Sequence, residues 1–181
     1  MSQVAVRYAK SLIDLASERG QLDTAYADIR IILAACKNLK DFSLLLKSPL
    51  VKTDKKIAVF KSILKGQVST LVEDFIMLLT RNRRESFLES ISEEFIVQYK
   101  EKKNIITVTV TSAVGLDDVI RKKIMDILNK WYKAEIEIVE KIDPKLIGGF
   151  VLRIGNKEAD MSILRQLNQL KKDFNKSYLL N

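Results

Sequence analysis

The 181-residue chain carries 31 lysines and arginines against 23 aspartates and glutamates, a net charge of +8, and 47% of its residues are hydrophobic. That balance belongs to one folded domain or two small ones rather than to a disordered chain. The positive excess admits an acidic protein, a nucleic acid or an anionic membrane surface as partner, but it is spread along the chain instead of forming a basic arm. Histidine is absent and Cys36 is the single cysteine. The usual general base near neutral pH, an internal disulfide and a thiolate zinc site are therefore missing, and a reducing, intracellular compartment is expected. No apolar run approaches the roughly 18 to 20 residues that span a bilayer, and Arg7 and Lys10 fall where a signal peptide would be apolar.

In chain order, the first hundred residues repeat one kind of unit, a helical apolar period closed by a turn residue. Residues 3–19 place Ala5, Ala9, Leu12, Ile13 and Ala16 on one stripe before Gly20. Residues 22–37 repeat the pattern with Leu22, Ala25, Ile29, Leu33 and Cys36. A short helix over 39–46 carries Phe42, Leu45 and Leu46 and stops at Ser48-Pro49, because the proline ring disfavours helical geometry in the residue before it. Residues 53–65 carry Ile57, Phe60, Ile63 and Leu64, with Lys52, Lys55, Lys56, Lys61 and Lys65 read as a solvated face. Thr70-x-x-Glu73 and Ser86-x-x-Glu89 read as capping boxes opening helices to about Arg81 and Lys103. These six helices with short connections predict an antiparallel bundle over residues 1–104.

At Ile105 the period changes to two, with Ile106, Val108 and Val110 alternating with Thr107, Thr109 and Thr111, and this switch marks a domain boundary. A helix over 116–132 follows, with Leu116, Ile120, Ile124, Ile127, Leu128 and Trp131 on one side and Trp131 expected in the core. Residues 134–140 alternate again. The stretch from Ile142 to Gly155 then gathers three of the six glycines and one of the two prolines. Pro144 fixes the entry, Gly148-Gly149 permit a bend, Phe150 to Ile154 form a strand, and Gly155-Asn156 turns into a short return strand near 157–159. These glycines lead into a strand with no Lys-Ser or Lys-Thr after them, so a phosphate loop is disfavoured. A last helix carries Ile163, Leu167, Leu170 and Phe174. The overall class is α+β, mainly α: a six-helix bundle followed by a β-α-β-β-β-α unit over residues 105–181, whose core is thin for about 75 residues.

Two helices show more apolar surface than one buried face needs. Val4, Tyr8 and Leu15 form a second stripe on the first helix, and on the fifth Leu71, Phe75 and Leu78 lie on one side and Val72, Ile76 and Leu79 on another. Either both helices are fully buried, or together they frame a groove for a partner's amphipathic helix. The Arg81-Asn82-Arg83-Arg84 cluster is read as cations complementing a helix C-terminus, with an anion or nucleic-acid contact as the alternative. Glu93-Glu94 and Asp117-Asp118 point in different directions on helices and make no facing catalytic pair. A basic nucleic-acid-binding module is the rival supported by charge alone.

The opening Val4-Ala5-Val6-Arg7-Tyr8-Ala9-Lys10-Ser11-Leu12, the Arg81–Arg84 turn, the Val108–Ala113 strand, the Ile142–Gly155 stretch and Asp160-x-Ser162 with Leu167-x-x-Leu170 occur in the order of one family. Together they resemble the delta subunit of F-type ATP synthases, whose mitochondrial relative is the oligomycin sensitivity-conferring protein. Asn104 where many relatives have glycine, and Ile163-Leu164 after the serine, are local departures.

The resemblance implies a non-catalytic stator subunit of a proton-translocating ATP synthase, without cofactor or nucleic acid and present as one copy per complex. It would link the catalytic head to the peripheral stalk at the cytoplasmic face of a bacterial membrane, and be peripheral to that membrane through the complex. Residues 1–104 would receive the N-terminal helix of an alpha subunit between the first and fifth helices, with Val4, Tyr8, Ser11 and Leu15 as one wall and Leu71, Phe75 and Leu78 as the other. Residues 105–181 would contact the b subunits of the stalk.

Overall fold

The computed structural model describes residues 3–48, 50–64 and 66–178, with side chains described as far as residue 171. The chain divides into two compact units, residues 1–102 and 103–181.

The first unit contains helices α1 (Gln3–Glu18), α2 (Leu22–Asn38), α3 (Lys40–Lys47), α4 (Thr53–Leu64), α5 (Thr70–Arg81) and α6 (Leu88–Lys102), with a 3-10 turn at Glu85–Phe87 running into α6. The six expected helices are present. α6 packs against α1 and α2, and α4 packs against α5. The small side chains Ala5, Ala9 and Ala16 share the buried stripe of α1 with Leu12 and Ile13, which lets neighbouring backbones come close. They meet a core that includes Ile29 and Ile32 of α2, Val72, Ile76 and Leu79 of α5, and Leu88, Ile91 and Phe95 of α6. At its edge Tyr26 and Tyr99 stack with centroids 4.0 Å apart, and the Tyr99 hydroxyl donates to Asp23 at 2.8 Å.

The structure departs from the sequence pattern at several places. Lys56 is not on a solvated face: its side chain is only 3% exposed, and its ammonium donates to Glu85 Oε1 at 2.6 Å and to the Leu46 carbonyl at 3.3 Å. The helical period of α4 turns position 56 inward beside Phe60, while Ile63 is left exposed. Lys65 lies outside the described residues. Neither capping box forms. Ser69, not Thr70, holds the N-cap position of α5 and makes no side-chain cap bond; its N–H instead donates to buried Asp28 at 2.8 Å. Ser86 is inside the 3-10 turn, so α6 begins as its continuation.

The second unit is β1 (Ile105–Ser112), α7 (Asp118–Trp131), β2 (Glu135–Ile142), β3 (Phe150–Ile154), β4 (Lys157–Asp160) and α8 (Ile163–Tyr178), the expected β-α-β-β-β-α order. The sheet order is β2-β1-β3-β4, with β1–β2 parallel and the other two pairs antiparallel. A parallel pair needs a crossover connection, and α7 supplies it. Val108, Val110, Ile136 and Leu152 share one core with Ile124 and Leu128 of α7, flanked by Phe150 and Ile154.

The glycine-rich stretch is a corner. A Cβ on Gly149 (φ +77°) would overlap the Met161 carbonyl and fall 2.9 Å from Ser162 Cα, so the loop packs backbone against backbone. Gly155 (φ +55°) closes the β3–β4 hairpin.

Trp131 is not in this core. It is the last residue of α7 and is 69% exposed, and Ile120 and Ile127 are exposed as well. Only Ile124 and Leu128 of that helix are buried, where it packs on Val108, Val110, Ile136 and Leu152 of the sheet. Ile163, Leu167 and Leu170 of α8 are also exposed. The side chain of Phe174 lies outside the described residues.

The Lys56–Glu85 pair gives the first prediction. Lys56→Met alone leaves a buried carboxylate uncompensated and should lower stability by about 3 kcal/mol or more, whereas Lys56→Met with Glu85→Met should recover most of that loss. Urea denaturation of the two variants against the parent checks this.

Candidate functional site

α1 and α5 run antiparallel along the surface of the first unit. Val4, Arg7, Tyr8 and Ser11 line one cavity with Arg84, which follows α5, while Leu15 and Arg19 line another with residues from Thr70 to Arg81. The cavities measure about 370 and 520 Å³. Tyr8 and Phe75 meet edge to face with centroids 6.3 Å apart, bringing the two helices into contact beside these hollows. Such ring pairs prefer this geometry because the positive edge of one ring meets the negative face of the other.

All seven residues singled out from the sequence line the two hollows. Val4, Tyr8 and Ser11 fall in the first, and Leu15, Leu71, Phe75 and Leu78 in the second. Their exposures differ. Leu71 and Phe75 are buried and form a floor, Val4 and Tyr8 are half-buried, and Leu15 and Leu78 stand out at 38% and 50% exposure. The Ser11 hydroxyl donates to the Arg7 carbonyl at 2.9 Å, so that proton is spent within α1. Its contribution to the groove is its small size.

α5 therefore has two apolar sides. Val72, Ile76 and Leu79 are sealed inside the bundle, and Leu71, Phe75 and Leu78 form the second stripe with Met77 beside them.

The groove is also cationic, which the apolar pattern did not reveal. Arg7 and Arg84 line the end formed by the start of α1 and the finish of α5. Arg81, Arg19 and Lys61 line the remainder, together with Glu73 and Asp74. The signal was available in the Arg81–Arg84 run and in Arg7, but a charge on a helix surface has no preferred partner until the tertiary pairing is known.

The turn after α5 explains how Arg84 arrives there. The Arg84 N–H donates to Leu79 O at 2.8 Å and the Arg83 N–H to Thr80 O at 3.1 Å. With Arg83 at φ +56°, this is a Schellman ending, in which the residue past the helix takes the left-handed conformation. The same bonds end α1, where Gly20 (φ +64°) holds that position. Arginine in place of glycine carries a Cβ penalty, and the side chain after it sits over the Phe87 ring, Arg84 Cζ being 5.9 Å from the centroid.

Among the described residues no group of three or more His, Cys, Asp or Glu side chains could hold a metal ion. Cys36 is buried, and burial, with Glu89 adding to it, pushes its thiol up to about 12.

The sequence matches the family described as ATP synthase delta (OSCP) subunit over residues 4–174. Similar proteins named ATP synthase subunit delta include one from Cytophaga hutchinsonii, 38% identical over 173 residues, covering 96% of this chain and 94% of that protein. One from Prochlorococcus marinus is 34% identical, covering 94% and 95%, and one from Desulforudis audaxviator is 32% identical, covering 93% and 92%. Among solved structures, a chain of the cryo-EM structure of the Toxoplasma gondii mitochondrial ATP synthase hexamer superimposes with a TM-score of 0.73 at 19% identity, over 96% of this chain and 98% of that one. That last likeness is one of fold.

The Schellman turn yields a second prediction. Arg83→Gly should keep the fold and raise stability by about 0.5–1 kcal/mol, since relief of the left-handed strain outweighs the added freedom of the unfolded chain. A lower thermal midpoint for the variant would mean that the Arg83 side chain itself holds the turn.

Proposed function

The chain belongs to the ATP synthase delta (OSCP) subunit family, and from that premise we propose that its α1–α5 groove receives the amphipathic N-terminal helix of an alpha subunit while its second unit meets the b subunits of the stalk. As a member, it is a non-catalytic structural subunit, a stator part that links the F1 head to the peripheral stalk of an enzyme coupling ATP synthesis to proton transport. The observation that carries the groove reading is Leu78, half-exposed above the buried floor of Leu71 and Phe75. An apolar floor with an apolar rim matches the i, i+3, i+4 and i+7 anchors of a docked helix.

The function is mechanical. Rotation of the central shaft pushes the head to turn with it, and this link resists by holding on. A nanomolar contact corresponds to about 12 kcal/mol, which an interface of roughly 1,600 Å² reaches when a few anchors are well packed. Tyr8 and Phe75 are sized for that role.

For the second unit, the support lies in α8. Ile163, Leu167 and Leu170 are exposed at spacings of four and three residues, and Phe174 continues the spacing in the sequence. That is a heptad seam, the pattern one helix offers another in a coiled coil, and a helical stalk subunit is its occupant in this reading. The chain serves as one copy per complex. No helix among the described residues is long and apolar enough to cross a membrane, and attachment to the cytoplasmic face of a bacterial membrane runs through the complex.

Two measurements separate the surfaces. Tyr8→Asp or Leu78→Asp should weaken binding of a synthetic alpha N-terminal peptide at least tenfold, with circular dichroism unchanged, since each places a charge at an apolar contact. Unaltered affinity in calorimetric titration would remove that residue from the groove. Leu167→Asp should leave peptide binding intact and reduce capture of a soluble b-subunit fragment; loss of neither would remove α8 from the stalk contact.

A further inference from the structure

The two hollows are both lined by apolar side chains, but their charges differ. At the end where α1 begins and α5 finishes, the charged groups facing the cavity are Arg7 and Arg84, and no acidic side chain lines it. Toward the other end, Glu73 and Asp74 face the cavity among the cations. Neither Arg7 nor Arg84 is paired with a carboxylate of the described residues, and both are exposed. Arg84 is brought to this place by a turn whose preceding residue, Arg83, holds a left-handed backbone. A strained left-handed residue directly before one that lines a cavity is the kind of outlier that points to a role.

We propose that Arg7 and Arg84 form a cationic clamp that grips carboxylate side chains of the docked helix and so fixes its polarity and register in the groove. The proposal rests on the groove reading above and adds the specificity that apolar contacts cannot give. An apolar stripe looks nearly the same to a helix laid in either direction, because its anchors recur every three or four residues. A positive end is not symmetric. A helix whose acidic residues lie over Arg7 and Arg84 gains paired guanidinium–carboxylate bonds, whose planar geometry suits bidentate contact. The reversed helix brings those acids to a lining of mixed sign, where Glu73 and Asp74 stand among Arg19, Lys61 and Arg81 and oppose part of the attraction, so it is held less well than by the unopposed Arg7 and Arg84. The occupant is thus an amphipathic helix with acidic residues concentrated at one end.

The test uses the full chain and the synthetic alpha N-terminal peptide, titrated at low and high salt. Arg7→Glu with Arg84→Glu should weaken binding roughly fivefold to fiftyfold at low salt, mainly through the association rate, and flatten its salt dependence. Replacing the peptide's acidic residues by lysine should restore affinity for that variant while weakening it for the parent. Arg7→Lys with Arg84→Lys should retain most of the affinity and lose part of the discrimination between the peptide and one of reversed charge order. If the double Glu variant binds with unchanged affinity and salt slope while Leu78→Asp still abolishes binding, the clamp is overturned and the groove stands. If Leu78→Asp also leaves binding unchanged, the groove reading fails with it. Circular dichroism of each variant separates loss of fold from loss of contact, and Arg84→Gln alone serves where the double variant does not fold.

Discussion

Helix α5 is fixed at both ends before any partner arrives, and the groove depends on that. At its start, the buried carboxylate of Asp28 accepts the Ser69 N–H at 2.8 Å, tying the helix to α2. At its finish, Leu79 O and Thr80 O accept N–H bonds from the turn, satisfying carbonyls a helix end otherwise leaves open. Between these points Val72, Ile76 and Leu79 are fully buried. A helix of twelve residues held in this way cannot roll to hide its second stripe, so Leu78 stays in solvent and Phe75 stays in the floor.

That arrangement suits a stator better than a catalyst. Exposed apolar surface is a liability for a protein alone, since it invites non-specific association, and here it occurs in both units: at Leu15 and Leu78 in the first, and along α7 and α8 in the second. A subunit whose task is to hold two neighbours can carry such surface because it works covered. The second unit carries the larger share relative to its core, which is built on six buried residues.

The order of elements was legible in the sequence because it is written in periods: 3.6 residues to Lys102, two from Ile105, and a concentration of glycine and proline where the chain turns its sharpest corner. The family was legible because its short motifs keep their order. What period does not carry is how far a stripe will be covered. Trp131, Ile120 and Ile127 share the spacing of Ile124 and Leu128, yet only the latter pair is buried against the sheet. Lys56 shows the converse: a lysine among lysines looks solvated unless a carboxylate twenty-nine residues on is known to fold against it. The capping boxes failed because a buried aspartate from another helix, and a 3-10 turn, took over their work. For the groove, the two apolar stripes could be read from the sequence, whereas the arginines that share their cavities could not be assigned to them until α1 and α5 were seen to run antiparallel.

The buried ion pair and the groove are parts of one turn. Glu85 follows Arg84 directly, and Lys56 holds Glu85 while also donating to Leu46 O, so a single ammonium ties the last turn of α3, the first turns of α4 and the segment leaving α5. Burying two charges contributes little net stability compared with apolar side chains of the same size, because each must be stripped of water. Its effect is geometric: the bond from Lys56 to Glu85 Oε1 ties the segment after α5 to α4. The Schellman bonds fix the other side of the same segment, and Arg84 lies between the two constraints. The backbone at Arg84 is thus held by main-chain bonds on one side and by the Lys56–Glu85 salt bridge of the next residue on the other.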